Sequence, residues 1–373
     1  MLADWARILR TATGPVALDA ERASSYRYSA RAYLVQLRHP ELGTALFDPI
    51  ALGDLQVLDE PMSGMQWVLH AANQDLPCLA ELGIRPRDLF DTELAGRLAG
   101  LPRVGLAALV EQLLGWGLAK GHGAADWSKR PLPTDWLVYA ALDVEVLTEL
   151  RDVLAELLSR QGKLDWAEQE FAALVDPKPT APRPDPWRRT SGIHRIRDRR
   201  TLAVIRSLWQ TRDHIARRRD LAPHRVLPDS AIVAAAEAKP TTVRALQQLP
   251  VFSGRMQRRH ASTWFDAIGQ AMTLPAAELP PVTLPSDAPP PAPRWATKDP
   301  AAAARLAAAR AGLAELSDRL TIPVENLMTP DLVRRVLWAP PDGPVEDRLA
   351  ELGARPWQVE QVSPILRAAL SAA

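Results

Sequence analysis

The chain has a single cysteine, Cys78, among 373 residues. One thiol excludes a disulfide framework and a thiolate zinc site, and suits a reducing cytoplasm. Long apolar runs are missing too: no stretch approaches the roughly 20 residues of a membrane-spanning helix. The opening MLADWARILRTATG lacks the apolar core of a signal peptide. These absences predict a soluble cytoplasmic protein with no membrane partner. Net charge is nearly absent as well, at +1, but it is unevenly spread. Between Arg183 and Met272 stand 18 Lys/Arg and 7 Asp/Glu, so that segment is strongly basic and the remainder acidic. Such asymmetry suits one part that grips a polyanion and another that is acidic for its own reason.

What is abundant is proline, 34 residues in all, and it divides the chain. DPKPTAPRPDP (Asp176 to Pro186) and LPAAELPPVTLPSDAPPPAPRW (Leu274 to Trp295) read as extended linkers. Proline has no amide donor and biases the residue before it away from helix. The expected organisation is therefore a first domain over 1–175, a linker over 176–190, a second domain over 191–273, a linker over 274–298 and a third domain over 299–373.

In the first domain VALDAE, AYLVQLR and TALFDP read as consecutive strands, and WVLHAANQD as a further strand turning into a helix. TELAGRLAG, GLAALVEQLLGWG and the long TDWLVYAALDVEVLTELRDVLAELLSRQG have helical periodicity, with Thr134 as the N-cap of the last. The pattern predicts an α/β domain with a mixed sheet. The later blocks show no strand signal and are expected to be helical. LAPHRVLPD and TIPVENLMTPD each follow an Arg- and Leu-rich helix, pairing Pro223 with Pro323 and Leu227 with Leu327. The match suggests a duplicated helical module.

Three acidic motifs fall in the first domain. Asp19 and Glu21 lie two apart on a strand and so share a face. Asp75 stands at the start of a helix just after a strand, where a site can open. Tyr139 and Asp143 lie four apart on a helix, hence on one face. Each motif alone is ordinary. Together they supply four carboxylates and a tyrosine, and four negative charges in one cleft are strongly destabilising without cations. Two divalent cations would neutralise them and form a hydrolytic site with ions roughly 3.5–4 Å apart. Hard oxygen donors suit Mg²⁺ or Mn²⁺, and no small-molecule cofactor is expected. Tyr139 is a poor free base, with a reference pKa of about 10, and is expected to orient the attacking water. His70 and Asp91 are either supporting groups of this site or structural residues.

Asp19-Ala20-Glu21, HAANQDL and YAALDVEVL, with RYSARAYLVQL, DTELAGRL and DWSKRPL around them, resemble the ribonuclease D family of DEDD 3′→5′ exonucleases, tyrosine subtype. The block from about Arg195 to Met272 resembles the HRDC domain, a helical nucleic-acid-binding module, and the last block is similar to a further HRDC-like domain. The resemblance implies a ribonuclease H-like exonuclease domain followed by two all-α HRDC-like domains. It implies metal ligation by Asp19, Glu21, Asp75 and Asp143, and catalysis by these with Tyr139. The implied activity is release of 5′ nucleoside monophosphates from a single-stranded RNA 3′ end, with tRNA precursors and other structured RNAs as substrates and the enzyme a monomer. Arg188, Arg189, Arg217, Arg218 and Arg219 are the expected nucleic-acid contacts, with Trp187 and Trp209 as stacking surfaces. The alternatives are a DNA exonuclease acting in repair, because metal ligands do not read the 2′-hydroxyl, and an inactive RNA-binding scaffold.

Overall fold

The computed structural model describes residues 2–118, 121–177 and 184–372. Residues 178–183 of the first proline-rich linker therefore lie outside the described residues. The first block holds a five-stranded sheet: β1 Val16–Arg22, β2 Ala32–His39, β3 Gly43–Phe47, β4 Gln66–Leu69 and β5 Asp88–Asp91. Their order is β3-β2-β1-β4-β5. β1 pairs antiparallel with β2 and parallel with β4, and β4 pairs parallel with β5. β1 is the central strand, and Val16, Ala17 and Leu18 are fully buried. The carboxyl ends of β1, β4 and β5 open on one side, where sites form in such sheets.

Four strands were legible from alternation; β5 was not. It has only the four residues DLFD, too few to show a period. The long helix expected after Pro133 is two helices, Thr134–Glu145 and Leu147–Arg160, which meet at Val146. The first packs on β1, β2 and β3, and the second on β1 and β4. Its apolar period runs through the break, so the change of direction comes from packing on the two halves of the sheet. Thr134 is the first helical residue rather than the cap; Pro133 holds the cap position without a side-chain bond.

The described remainder is helical, and it makes two apolar cores with the first block. One core, from Trp187 and Ile196 to Trp264 and Ala271, belongs to the middle block. The other is continuous from the sheet into the last block, through Trp295, Leu306, Leu327, Trp357 and Leu366. Across that seam Trp166 stacks on Trp357 with centroids 5.0 Å apart. Buried Lys163 donates to the carbonyls of Leu98 at 2.9 Å and Leu320 at 2.6 Å. The middle block is tied to the loop after β1: the Ala222 amide donates to Tyr26 O at 3.0 Å, Ser29 N to Asp220 at 2.8 Å, and Tyr28 Oη to Asp213 at 2.9 Å. No helix among the described residues is long and apolar enough to cross a membrane.

The duplication is visible in the backbone, in a register one residue from that read in the sequence. Asp198 and Asp299 each cap a 21-residue helix with a carboxylate bond to its first turn. Each helix ends on a left-handed residue, Asp220 at φ +46° and Thr321 at φ +53°. A one-turn helix follows, Pro223–Val226 or Val324–Leu327. Leu227 therefore matches Met328, not Leu327, and Pro223 and Pro323 occupy different positions of the turn.

Candidate active site

Asp19 and Glu21 point from β1 into the cleft above the carboxyl ends of the parallel strands. Fully buried Gln36, opposite Asp19 in the register with β2, donates through Nε2 to Asp19 Oδ2 at 3.2 Å. The helix Thr134–Glu145 crosses above them and presents Tyr139 and Asp143 on one face. One carboxylate oxygen from each of Asp19, Glu21 and Asp143 lies within 4.8 Å of the others. Asp75 stands beside this group rather than within it, close enough to share a hydrogen bond with Asp19.

The path from β4 to Asp75 is held by Asp91. Ala71, between them, has φ +56°, a left-handed conformation costly for a residue with a Cβ. The buried Asp91 carboxylate accepts from the amides of Ala71 at 3.1 Å and Ala72 at 2.8 Å. It also caps the helix Thr92–Leu98 by accepting from Glu93 N and Leu94 N. Of its two expected roles Asp91 therefore has a structural one, fastening the turn that delivers Asp75.

Like charges in a buried cleft repel, and the protonation of the cluster records it. Burial first, then neighbouring carboxylates, pushes Glu21 up to about 9 and Asp143 up to about 7. Asp19 and Asp75 are raised as well, chiefly by burial. Arg22 opposes this, with Nη2 at 3.4 Å from Asp75 Oδ1. Tyr139 is raised by burial, by the Asp143 charge and by its hydrogen bond to Asp143. Gly121 lies against the tyrosine ring, where a Cβ would come 2.9 Å from Cδ2, and His122 meets the ring edge-on at 5.7 Å. Asp19, Tyr139 and Asp143 line a cavity of about 390 Å³ with His70, Leu106, Ala107, Leu118, Gly121 and Leu147.

Sequence reasoning did not single out Gln36, Arg22 or Gly121. A glutamine inside the apolar run AYLVQLR was the one readable signal, because a polar side chain at a buried strand position needs a partner. The arginine expectations divide. Arg188 is committed to Asp185 at 2.9 Å and to Pro281 O at 2.8 Å, and covers the Trp187 ring. Trp187 is only 2% exposed and offers no stacking surface; Trp209 is half-buried. Arg217 donates to Tyr28 Oη at 3.1 Å, at the seam with the first block. Arg189, Arg218 and Arg219 are exposed.

Comparison with known proteins gives this arrangement a class. A family model described as 3′-5′ exonuclease matches residues 1–159, one described as HRDC domain matches 201–268, and one described as 3′ to 5′ exonuclease C-terminal domain matches 288–370. The chain is 34% identical to the ribonuclease D of Gluconacetobacter diazotrophicus over 274 residues, 71% of this chain and 68% of that one. It is 32% identical to the ribonuclease D of Jannaschia sp. over 73% of each chain. Among solved structures, Escherichia coli RNase D, titled an exoribonuclease involved in structured RNA processing, superposes with a TM-score of 0.74 at 27% identity, covering 100% of this chain and 96% of that one. A protein from Bifidobacterium adolescentis superposes with a TM-score of 0.91 at 37% identity, covering 99% and 94%. The chain belongs to the ribonuclease D family and is a 3′→5′ exoribonuclease. The exonuclease family uses divalent metal ions.

Proposed function

We propose that Asp19, Glu21, Asp75 and Asp143 hold two divalent cations, Mg²⁺ or Mn²⁺, and that the enzyme trims the 3′ ends of tRNA precursors and other structured RNAs. The observation that carries the site is the approach of the Asp19, Glu21 and Asp143 oxygens to within 4.8 Å of one another. The residues fit such ions: the donors are all carboxylate oxygens, and Arg22 alone does not balance four buried and half-buried acids. When bound, the pair would supply an activated water and charge stabilisation at the leaving 3′ oxygen.

The protein's own groups divide the remaining work. Tyr139, held protonated by burial and by the Asp143 carboxylate that accepts its hydrogen, orients a water through its remaining oxygen lone pair rather than removing the water's proton. Gln36 fixes the rotamer of Asp19, and Asp91 fixes the turn before Asp75. Asp19 and Glu21 sit on the central strand of the sheet, so their positions vary little. The exposed arginines of the middle block, Arg189, Arg218 and Arg219, are the groups for the RNA backbone. The enzyme acts as a monomer in the cytoplasm, in keeping with its one buried, unpaired cysteine.

The test uses 5′-labelled single-stranded RNA and DNA of matched sequence. Stepwise 3′ shortening with release of 5′ monophosphates, lost in EDTA and restored by Mg²⁺ or Mn²⁺, is expected for RNA. Robust cleavage in EDTA would rule out this site chemistry, and faster cleavage of DNA would favour a repair nuclease. Full-length tRNA precursors with 3′ extensions, compared with unstructured RNA, test the substrate assignment.

A further inference from the structure

His70 stands at the end of β4 and lines the same cavity as Asp19, Tyr139 and Asp143. The mechanism above gives it no task, and its hydrogen bonds define what it can do there. Its Nδ1 lies 2.9 Å from Oγ1 of the fully buried Thr92. Thr92 Oγ1 in turn lies 3.2 Å from the carbonyl oxygen of Leu69. Two oxygens at hydrogen-bond distance need a proton between them, and only the threonine has one. The hydroxyl proton is therefore committed to Leu69, and Thr92 Oγ1 accepts from His70 Nδ1–H. In a neutral ring the other nitrogen, Nε2, is then a bare acceptor. Burial keeps the ring neutral, lowering its pKa to about 4. Among the described residues no hydrogen-bond donor reaches Nε2, nor is Nε2 among the sealed polar atoms that lack a partner. Among the described residues the acceptor edge is thus unpartnered and not sealed, on a ring that lines the cavity.

An acceptor in a cavity whose other polar groups, among the described residues, are carboxylates and a phenol calls for a neutral donor on the ligand. The cavity volume of about 390 Å³ lies in the range of small-molecule sites, roughly 300–1,000 Å³. Leu106, Leu118 and Leu147 give it an apolar side suited to a base, and a nucleotide placed there with its phosphate at the carboxylate cluster offers its sugar hydroxyls as the neutral donors common to all four nucleotides. We propose that His70 Nε2 accepts a hydrogen bond from a hydroxyl of the 3′-terminal ribose, which makes His70 a substrate-positioning and sugar-reading residue. The inference rests on the reading of this cleft as the exonuclease site.

The experiment compares kcat/KM for three RNAs that differ only at the 3′ terminus: a ribonucleotide, a 2′-deoxynucleotide and a 3′-deoxynucleotide. The wild type is expected to lose about three- to tenfold on whichever end lacks the bonded hydroxyl, the worth of one neutral hydrogen bond. That arm names the hydroxyl. In His70→Phe the ratio between the ribo end and that deoxy end should collapse to about one. Thr92→Val, which releases Nδ1 and lets the ring change tautomer, should reduce the same ratio without a change of volume. Equal cleavage of all three ends by the wild type overturns the inference, as does a His70→Phe enzyme with the wild-type ratio. Absence of metal-dependent cleavage of any of the three would instead undo the reading of the cleft itself.

Discussion

At the scale of single residues the site is a problem of charge. Four acids share a cleft in which Arg22 is the only adjacent cation described, and burial has raised every one of them. Two predictions belong here. Asp143→Asn should lower kcat by at least about a hundredfold with the fold retained, because even outer-sphere partners of a metal are worth 10- to 100-fold. Tyr139→Phe should slow cleavage by about tenfold, the upper worth of one neutral hydrogen bond to the water, with metal affinity nearly unchanged. Single-turnover rates and isothermal titration with Mn²⁺ separate the two, and a Tyr139→Phe enzyme at the wild-type rate would remove the tyrosine from catalysis. The second prediction concerns pH. Glu21 and Asp143 hold protons in the folded metal-free protein that the unfolded chain releases near 4. Their contribution to stability is therefore complete below about pH 4 and is lost as pH rises through about 7 and 9. The metal-free enzyme should melt at progressively lower temperature from pH 5 to pH 9, and added Mg²⁺ or Mn²⁺ should flatten that decline. Thermal scans in EDTA that show a flat or rising Tm would count against the protonated cluster.

At the scale of elements the question is how acids from different elements are brought to one point. β1 supplies two by alternation, and the helix Thr134–Glu145 supplies the third by its four-residue spacing. Asp75 is harder to place, because its turn includes the left-handed Ala71. Asp91, at the end of the neighbouring strand, accepts four backbone amides there. Asp91→Ala should leave buried amides without a partner, at a cost of about 1–3 kcal/mol, and reduce activity through misplacement of Asp75. Urea unfolding measures the first and exonuclease assays the second. A variant as stable and as active as the wild type would leave the clamp without importance.

At the scale of the whole molecule the three blocks are not three beads. The last block completes the core of the first, with Trp166 on Trp357 and Lys163 bonded to Leu320 O across the seam. A fragment ending at Val175 should therefore lose solubility or melt well below the full chain, because it exposes Trp166 and strips Lys163 of its Leu320 partner. Circular dichroism and size-exclusion chromatography of the fragment check this; a monomeric fragment with the full-chain Tm would show that the seam contributes little. The basic middle block makes a different prediction. Arg217 is occupied at the seam, but Arg218 and Arg219 are exposed on the same helix end. Each contact from these to single-stranded RNA should add about 0.7 to the log–log salt slope. Neutralising both should flatten the slope by about 1.4 on that basis, and an unchanged slope and affinity would leave them as solvated side chains.

Local pattern determined much of this protein. Alternation in VALDAE and AYLVQLR and the helical spacing of Tyr139 and Asp143 act over a few residues, so four of the five strands, the helical segments and the candidate acids could be named without a structure. Tertiary structure decided what depends on neighbours distant in sequence. Val146 breaks a helix whose period is continuous, where one half packs on β2 and β3 and the other on β4, with β1 shared. Gln36 reaches Asp19 only through the β1–β2 register, and Asp91 reaches Ala71 only because β5 lies beside β4. Arg188 and Trp187, basic and aromatic in a basic segment, look like nucleic-acid contacts until the fold buries one and occupies the other. His70, either a supporting group of the site or a structural residue on the sequence alone, has its hydrogen bond to Thr92 and its place in the cavity lining only in the fold. The reason is common to all five: composition and spacing report what a side chain can do, but burial and hydrogen-bond partners, set by the whole fold, decide whether it is free to do it.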